Sequence, residues 1–200
     1  MTRTILSKLM LMLLVLVFIA CEAATDKATT EKEPNSEEKT TDLAVFKDYK
    51  LLKLPILLEK PNDYEDLAAK IKKLDVAVYS QMNQDAKKNI FITEDNIVVE
   101  LKCFNNLHST DFEFRVLDKA AQSVGDALSV VYYGGHGAMY NTWQAASSIQ
   151  IENNRIKVET STEISSPVPG TDMENPELKE EKKVEKKVYK ISPKGIFEEK

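Results

Sequence analysis

The chain has only two cysteines among its 200 residues. A small core held mainly by a disulfide framework is therefore excluded. Two histidines, and no close spacing of histidine with cysteine, leave no sequence basis for a zinc site. Lysine and arginine (27) are outnumbered by aspartate and glutamate (32), so the formal charge is -5. That balance argues against a nucleic-acid binder, which would show a basic excess. No Walker loop, dinucleotide fingerprint or Asp-rich calcium loop occurs. No cofactor is implied, and no pair of carboxylates sits on a defined scaffold. The longest apolar run covers residues 9–20, short of the 18 or so residues that a membrane-crossing helix needs.

What is there begins at the N-terminus. Arg3 and Lys8 form a short basic region ahead of that apolar run, which has the length of a signal-peptide core. The run ends in Phe18-Ile19-Ala20-Cys21 and gives way at once to polar sequence. A small residue followed by cysteine at this place resembles the lipobox of bacterial lipoproteins. Phe18 stands where that family usually has leucine. The resemblance implies that residues 1–20 are a signal peptide, cut off before a Cys21 that carries fatty acyl chains. One chain binds a membrane marginally, whereas two or more anchor it. Loss of Arg3 and Lys8 would leave 25 basic and 32 acidic side chains, a net charge of -7. Anionic lipid repels such a body, which then stands off the surface. The expected location is the bacterial cell envelope, with the membrane as first partner and an envelope glycan or protein as second.

Residues 22–42 contain no aromatic side chain, and their only apolar residues are three alanines. Such a segment cannot offset its ordering entropy and is expected to be a tether. By the random-coil estimate it spans roughly 25 Å. From residue 43 the composition is that of a single α+β domain running to residue 200. Asn62-Asp63 looks like a helix N-cap. Tyr64, Leu67, Ile71 and Leu74 form one stripe, so a helix is expected over about 63–74. Beyond Val76 the period drops to two. Strands are expected at 90–93, 97–104, 112–116 and 127–133. Residues 148–159 form the clearest hairpin. With Asn153-Asn154 at a type I′ tip, Ile151 faces Ile156, Ile149 faces Val158, and Glu152 makes a charge pair with Arg155. Residues 165–187, with three prolines followed by a Lys/Glu run, are expected to be a charged loop or tail. A last hairpin turns at Ser192-Pro193-Lys194-Gly195. The expected fold is a strand-dominated antiparallel meander covered by the one helix.

Chemistry is sparse. Ser129 to Gly137 is an apolar strand running into Gly-His-Gly, and it resembles the histidine segment of caspase-like cysteine peptidases. That family places its cysteine about 50 residues after the histidine. Residues 180–190 hold none. A thiol hydrolase would have to use Cys103 with His136, although a lone cysteine in a strand is ordinarily a small buried hydrophobe. The other candidate is a binding surface. Tyr132, Tyr133, Tyr140 and Trp143 surround what looks like a Gly-rich turn. With His136 and Asn141, they could stack on and hydrogen-bond a sugar or peptide. No catalytic set is assembled, so a non-catalytic binding or structural role is expected.

Overall fold

The helix over Tyr64–Leu74 (α1) starts where the sequence says. Asp63 is extended, and its carboxylate accepts from the Asp66 amide at 2.8 Å. Asp66 in turn accepts from the Asn62 amide at 2.9 Å and from Lys70 at 2.6 Å, one turn on. Such caps satisfy amides that have no partner inside the helix, each worth about 1 kcal/mol. Asp75 ends the helix with a left-handed φ of 57°. Leu67 is buried, and Ile71 and Leu74 pack against the core beside it.

The computed structural model describes residues 43–80, 88–138, 140–172 and 174–200, all within one compact unit, Thr40–Lys200. The signal peptide, Cys21 and the tether lie outside the described residues. Among the described residues no helix is long and apolar enough to cross a membrane. A short 3-10 turn at Leu43–Phe46 leads into β1 (Lys50–Leu51) and β2 (Ile56–Leu58), and α1 leads into β3 (Val78–Tyr79). Eight strands follow: β4 (Asn89–Ile92), β5 (Val98–Asn105), β6 (Ser109–Leu117), β7 (Ser123–Ala138), β8 (Asn141–Glu152), β9 (Arg155–Pro167), β10 (Leu178–Ser192) and β11 (Gly195–Glu198).

The fold is strand-dominated, with one α-helix and one large mixed sheet among the described residues. From β4 to β11 each strand pairs antiparallel with its chain neighbour. The expected all-antiparallel meander needs correcting at the edges. β1 runs parallel to β4, and β3 runs parallel to β5. Two-residue strands carry no periodicity, so the sequence could not announce them.

β7 joins two halves of the sheet. Residues 123–134 pair with β6, and residues 133–138 pair with β8. Where β7 has left β8, β2 takes its place, with Ile56 opposite Ile151 and Leu58 opposite Ile149. The halves close on one apolar cluster. Val99, Leu101, Phe112, Phe114 and Tyr132 meet Ile149, Ile151, Ile156, Val158 and Ile191. At one end of this closure Gly125 of β7 lies against the β10–β11 turn, where an added Cβ would sit 2.8 Å from the Lys194 carbonyl oxygen. A smaller cluster of Phe46, Ile90, Val98 and Leu117 is packed separately, with Phe46 supplied by the 3-10 turn.

The β8–β9 hairpin has the expected register: Ile151 with Ile156, Ile149 with Val158, and Gln150 with Lys157. Its tip differs. Asn153 takes a positive φ of 52° but Asn154 does not, so the turn is not type I′. The charge pairing differs too. Arg155 donates to Glu199 at 3.2 Å, while Glu152 pairs with Lys157. The larger correction concerns residues 178–187. They are not loop or tail but the first two-thirds of β10, paired in unbroken register with β9 from Leu178–Pro167 to Lys190–Arg155. Pairing supplies what the low strand propensity of Lys and Glu withholds.

Ile156 sits fully buried where the halves meet, so Ile156→Ala should lower unfolding stability by about 2–5 kcal/mol. Val184 on β10 is 52% exposed, and Val184→Ala should stay within about 0.5 kcal/mol of the parent. Urea midpoints of the two variants would check both.

Candidate functional site

The Gly134-Gly135-His136-Gly137 segment is not a turn. It continues β7 as extended strand, and the last residue of β7, Ala138, pairs with the first of β8, Asn141. Its glycines answer to crowding. A Cβ on Gly134 would lie 2.7 Å from the Ser109 side chain and 2.8 Å from the His108 carbonyl oxygen. One on Gly135 would lie 2.6 Å from the Trp143 carbonyl oxygen. The Gly135 amide donates to the His108 carbonyl at 2.9 Å, so bare backbone seals β7 between its two neighbours.

Strand alternation then sorts the candidate residues onto two faces. His136 stands directly opposite Trp143 on β8, and Trp143 directly opposite Ile164 on β9. The His136 and Trp143 rings are 6.0 Å apart, and the His108 ring lies 5.9 Å from His136 on its other side. This gives a row of His108, His136, Trp143 and Ile164 across three strands. His108 and His136 are exposed, Trp143 is half-buried, and Ile164 is 43% exposed. Small residues lie beside the row, with Gly134 opposite Ala145 and Ala145 opposite Thr162.

The remaining candidates part from this row. Tyr133 points to the opposite face and is buried, edge-on to Tyr64 at 5.0 Å, with its hydroxyl accepting from the Gln144 amide at 3.2 Å. Burial raises its pKa. Tyr132 is fully buried, its hydroxyl donating to the Glu59 carbonyl at 2.8 Å. Tyr140 donates to the Glu174 carbonyl at 3.0 Å and secures the 168–177 loop. Asn141 is exposed at the start of β8. The expected cluster of Tyr133, His136, Tyr140, Asn141 and Trp143 thus reduces to the His136–Trp143 pair. Sequence reasoning missed His108 and Ile164 as members of the row. Only the cross-strand register brings them there.

Cys103 is fully buried, opposite Phe112 and within the main cluster. Desolvation, reinforced by the charge of Asp111, pushes its thiol up to about 12. A nucleophilic thiol needs a depressed pKa and a base in reach. His136 is exposed on the ring row, so the arrangement does not supply the pair that a thiol hydrolase would use. Among the described residues no three His, Cys, Asp or Glu side chains converge to hold a metal.

Two clefts flank these elements. A groove of about 470 Å³ beside α1 is lined by Leu67, Ile71, Val76 and Val78 with Tyr64 and Thr110. A polar cleft of about 280 Å³ holds Lys60, Gln144, Ser161 and Glu163. Both draw on distant segments and leave no local motif. No family model, no curated protein and no solved structure matches this chain.

Cys103 gives two tests. Iodoacetamide should label it only after unfolding, as located by peptide mass spectrometry. Its raised pKa also sets a sign. The unfolded thiol ionises near its ordinary 9.0 while the folded one keeps its proton to about 12. Stability from this group is therefore complete below about pH 9 and is lost as the pH climbs toward 12. Cys103→Ala should flatten the alkaline limb of the stability–pH curve measured by urea unfolding.

Proposed function

We propose that the chain is a lipid-anchored binding protein of the bacterial cell envelope, non-catalytic, which offers the His136–Trp143 face to an envelope glycan. The Cys21 lipobox and the polar tether supply the anchoring half of this reading. The observation that carries the binding half is the ring row itself. Tyr132 and Tyr133 are buried and hydrogen-bonded, but His108, His136 and Trp143 line up in ring-to-ring contact on a face left open to solvent. Flat rings beside small residues suit the apolar face of a pyranose, and Asn141 stands on the same face of β8 as a polar partner. The buried, protonated Cys103 speaks for binding rather than thiol chemistry.

Trp143 is the only tryptophan, so its fluorescence reports on this face alone. Titration with N-acetylhexosamine oligosaccharides should shift its emission saturably. His136→Ala should weaken binding about three- to tenfold, the range for one aromatic contact. A flat response to the oligosaccharides but a shift with short peptides would move the partner class to peptide. For the anchor, Cys21→Ser should release the chain from the membrane fraction under detergent-free washing. A variant that stayed membrane-bound would remove the lipoprotein reading.

A further inference from the structure

β10 has a bare edge. One side is paired with β9 from Leu178 to Lys190, while β11 covers the other side only from Tyr189 to Ser192. The backbone of residues 178–187 on that side has no strand beside it among the described residues. Open edges normally carry a defence such as a proline, a bulge, an unusually short strand or an unmatched charge. This stretch has no proline, and its register with β9 shows no break. Only its charges could defend it.

Those charges are ordered. The odd-numbered side chains are Glu177, Lys179, Glu181, Lys183, Glu185 and Lys187, a strict alternation of sign on one face. The even-numbered lysines already have partners on β9, Lys182 with Glu163 and Lys186 with Glu159. The odd-numbered row has none there. Lys179, Glu181, Lys183, Glu185 and Lys187 stand opposite Ser166, Ile164, Thr162, Thr160 and Val158. Its ion pairs run along its own strand, Lys179 with Glu181, and Lys183 and Lys187 with Glu185, except that Lys187 also reaches Glu198 of β11 at 3.8 Å. Exposed pairs of that kind contribute little.

A row of six alternating charges is its own complement when reversed. We propose that two copies of this chain pair antiparallel through the bare edge of β10, with Lys182 opposite Lys182 of the second copy. Side chains directly opposite each other in an antiparallel pair share a face, so a two-fold axis through the sheet must pass through a residue position. Centring it on Lys182 sets Glu181 against Lys183, Lys179 against Glu185 and Glu177 against Lys187, each made twice. One like-charge contact remains, at the axis. Centring it on Glu181 sets Lys179 against Lys183 and Glu177 against Glu185. Centring it on Lys183 sets Lys179 against Lys187 and Glu181 against Glu185. Centring it on Val184 sets Lys182 against Lys186 and runs Lys179 into Tyr189, which β11 already pairs. The Lys182 register also stops short of β11.

The backbone agrees. The Ile191 amide bonds to the Asn154 carbonyl of the β8–β9 hairpin, whereas the Val188 carbonyl accepts from Glu199 on the opposite side. Odd residues thus direct their backbone groups toward β9, and even residues direct theirs to the open edge. Lys182 at the axis would make a hydrogen-bonded pair with its copy, Cα atoms about 5.5 Å apart. Confinement on a membrane would raise the effective concentration of such an edge.

The test uses the full chain in mild detergent, with the unsubstituted chain as control for Cys21 and Cys103. Under oxidation Lys182→Cys should form disulfide dimers, since its Cα separation lies within the bridging range. Lys183→Cys, displaced by two residues from its copy and about 8 Å away, should form several-fold fewer. Val184→Pro removes an amide that faces the open edge, not β9, so the fold should survive with an unchanged circular dichroism spectrum. Sedimentation should then show a dimer for the parent chain and a monomer for Val184→Pro. A parent chain that is monomeric at all concentrations would overturn the proposal. So would a Val184→Pro dimer as tight as the parent's, or equal cross-linking at positions 182 and 183.

Discussion

Phe112, Phe114 and Tyr132 from one half of the sheet press against Ile149, Ile151 and Ile156 from the other, all fully buried. The rest of the architecture depends on that closure. For the halves to face each other, β7 must belong to both, and it does so by exchanging β6 for β8 near Tyr133 and Gly134. The exchange brings three backbones close together, which is why glycine occupies positions 134 and 135. It also uncovers the inner half of β8, and β2 fills the gap. α1 then lays Leu67, Ile71 and Leu74 onto the same cluster. Apolar burial at about 25 cal/mol per Å² is what drives each of these steps, and hydrogen bonding decides where they stop.

How much of this was legible depends on the range of the interaction. Asp63, the stripe from Tyr64 to Leu74 and the register of the 148–159 hairpin were readable because each is settled within a dozen residues. Gly134 to Gly137 looked like a turn because a contact that requires glycine, Gly134 against the backbone of His108, lies well outside that range. Residues 178–187 looked solvated because every side chain from Leu178 to Lys186 is exposed. Their conformation is imposed by β9 rather than chosen by their own propensity. β1 and β3, two residues each, had no pattern to find. The candidate site fared likewise. His136 and Trp143 were legible as a pair, but His108 and Ile164 enter only through cross-strand neighbours.

Chemically reactive groups and exposed groups are kept apart in this body. The Cys103 thiol and the Tyr132 hydroxyl lie inside, their ionisation opposed by burial. Outside are lysine–glutamate pairs and a few imidazole and indole rings. Such a partition accords with the proposed role in binding rather than thiol chemistry.

The ring row and the open edge are parts of one surface. Reading across the register, His136 faces Trp143, Trp143 faces Ile164, and Ile164 faces Glu181, so the alternating charges of β10 share a face with the rings. Joining two copies at that edge would therefore extend a single face and place a second ring row beyond the ion-paired seam. A repeating polymer such as a glycan strand gains from two sites held at a fixed spacing, because the second contact is made without a second search. Each such site could then be weak and shallow, formed by the open row from His108 in the β5–β6 turn across β7, β8 and β9. In this light the Lys/Glu run is not a solvated filler between a loop and a hairpin. In the proposed dimer it would set the distance between two ring rows.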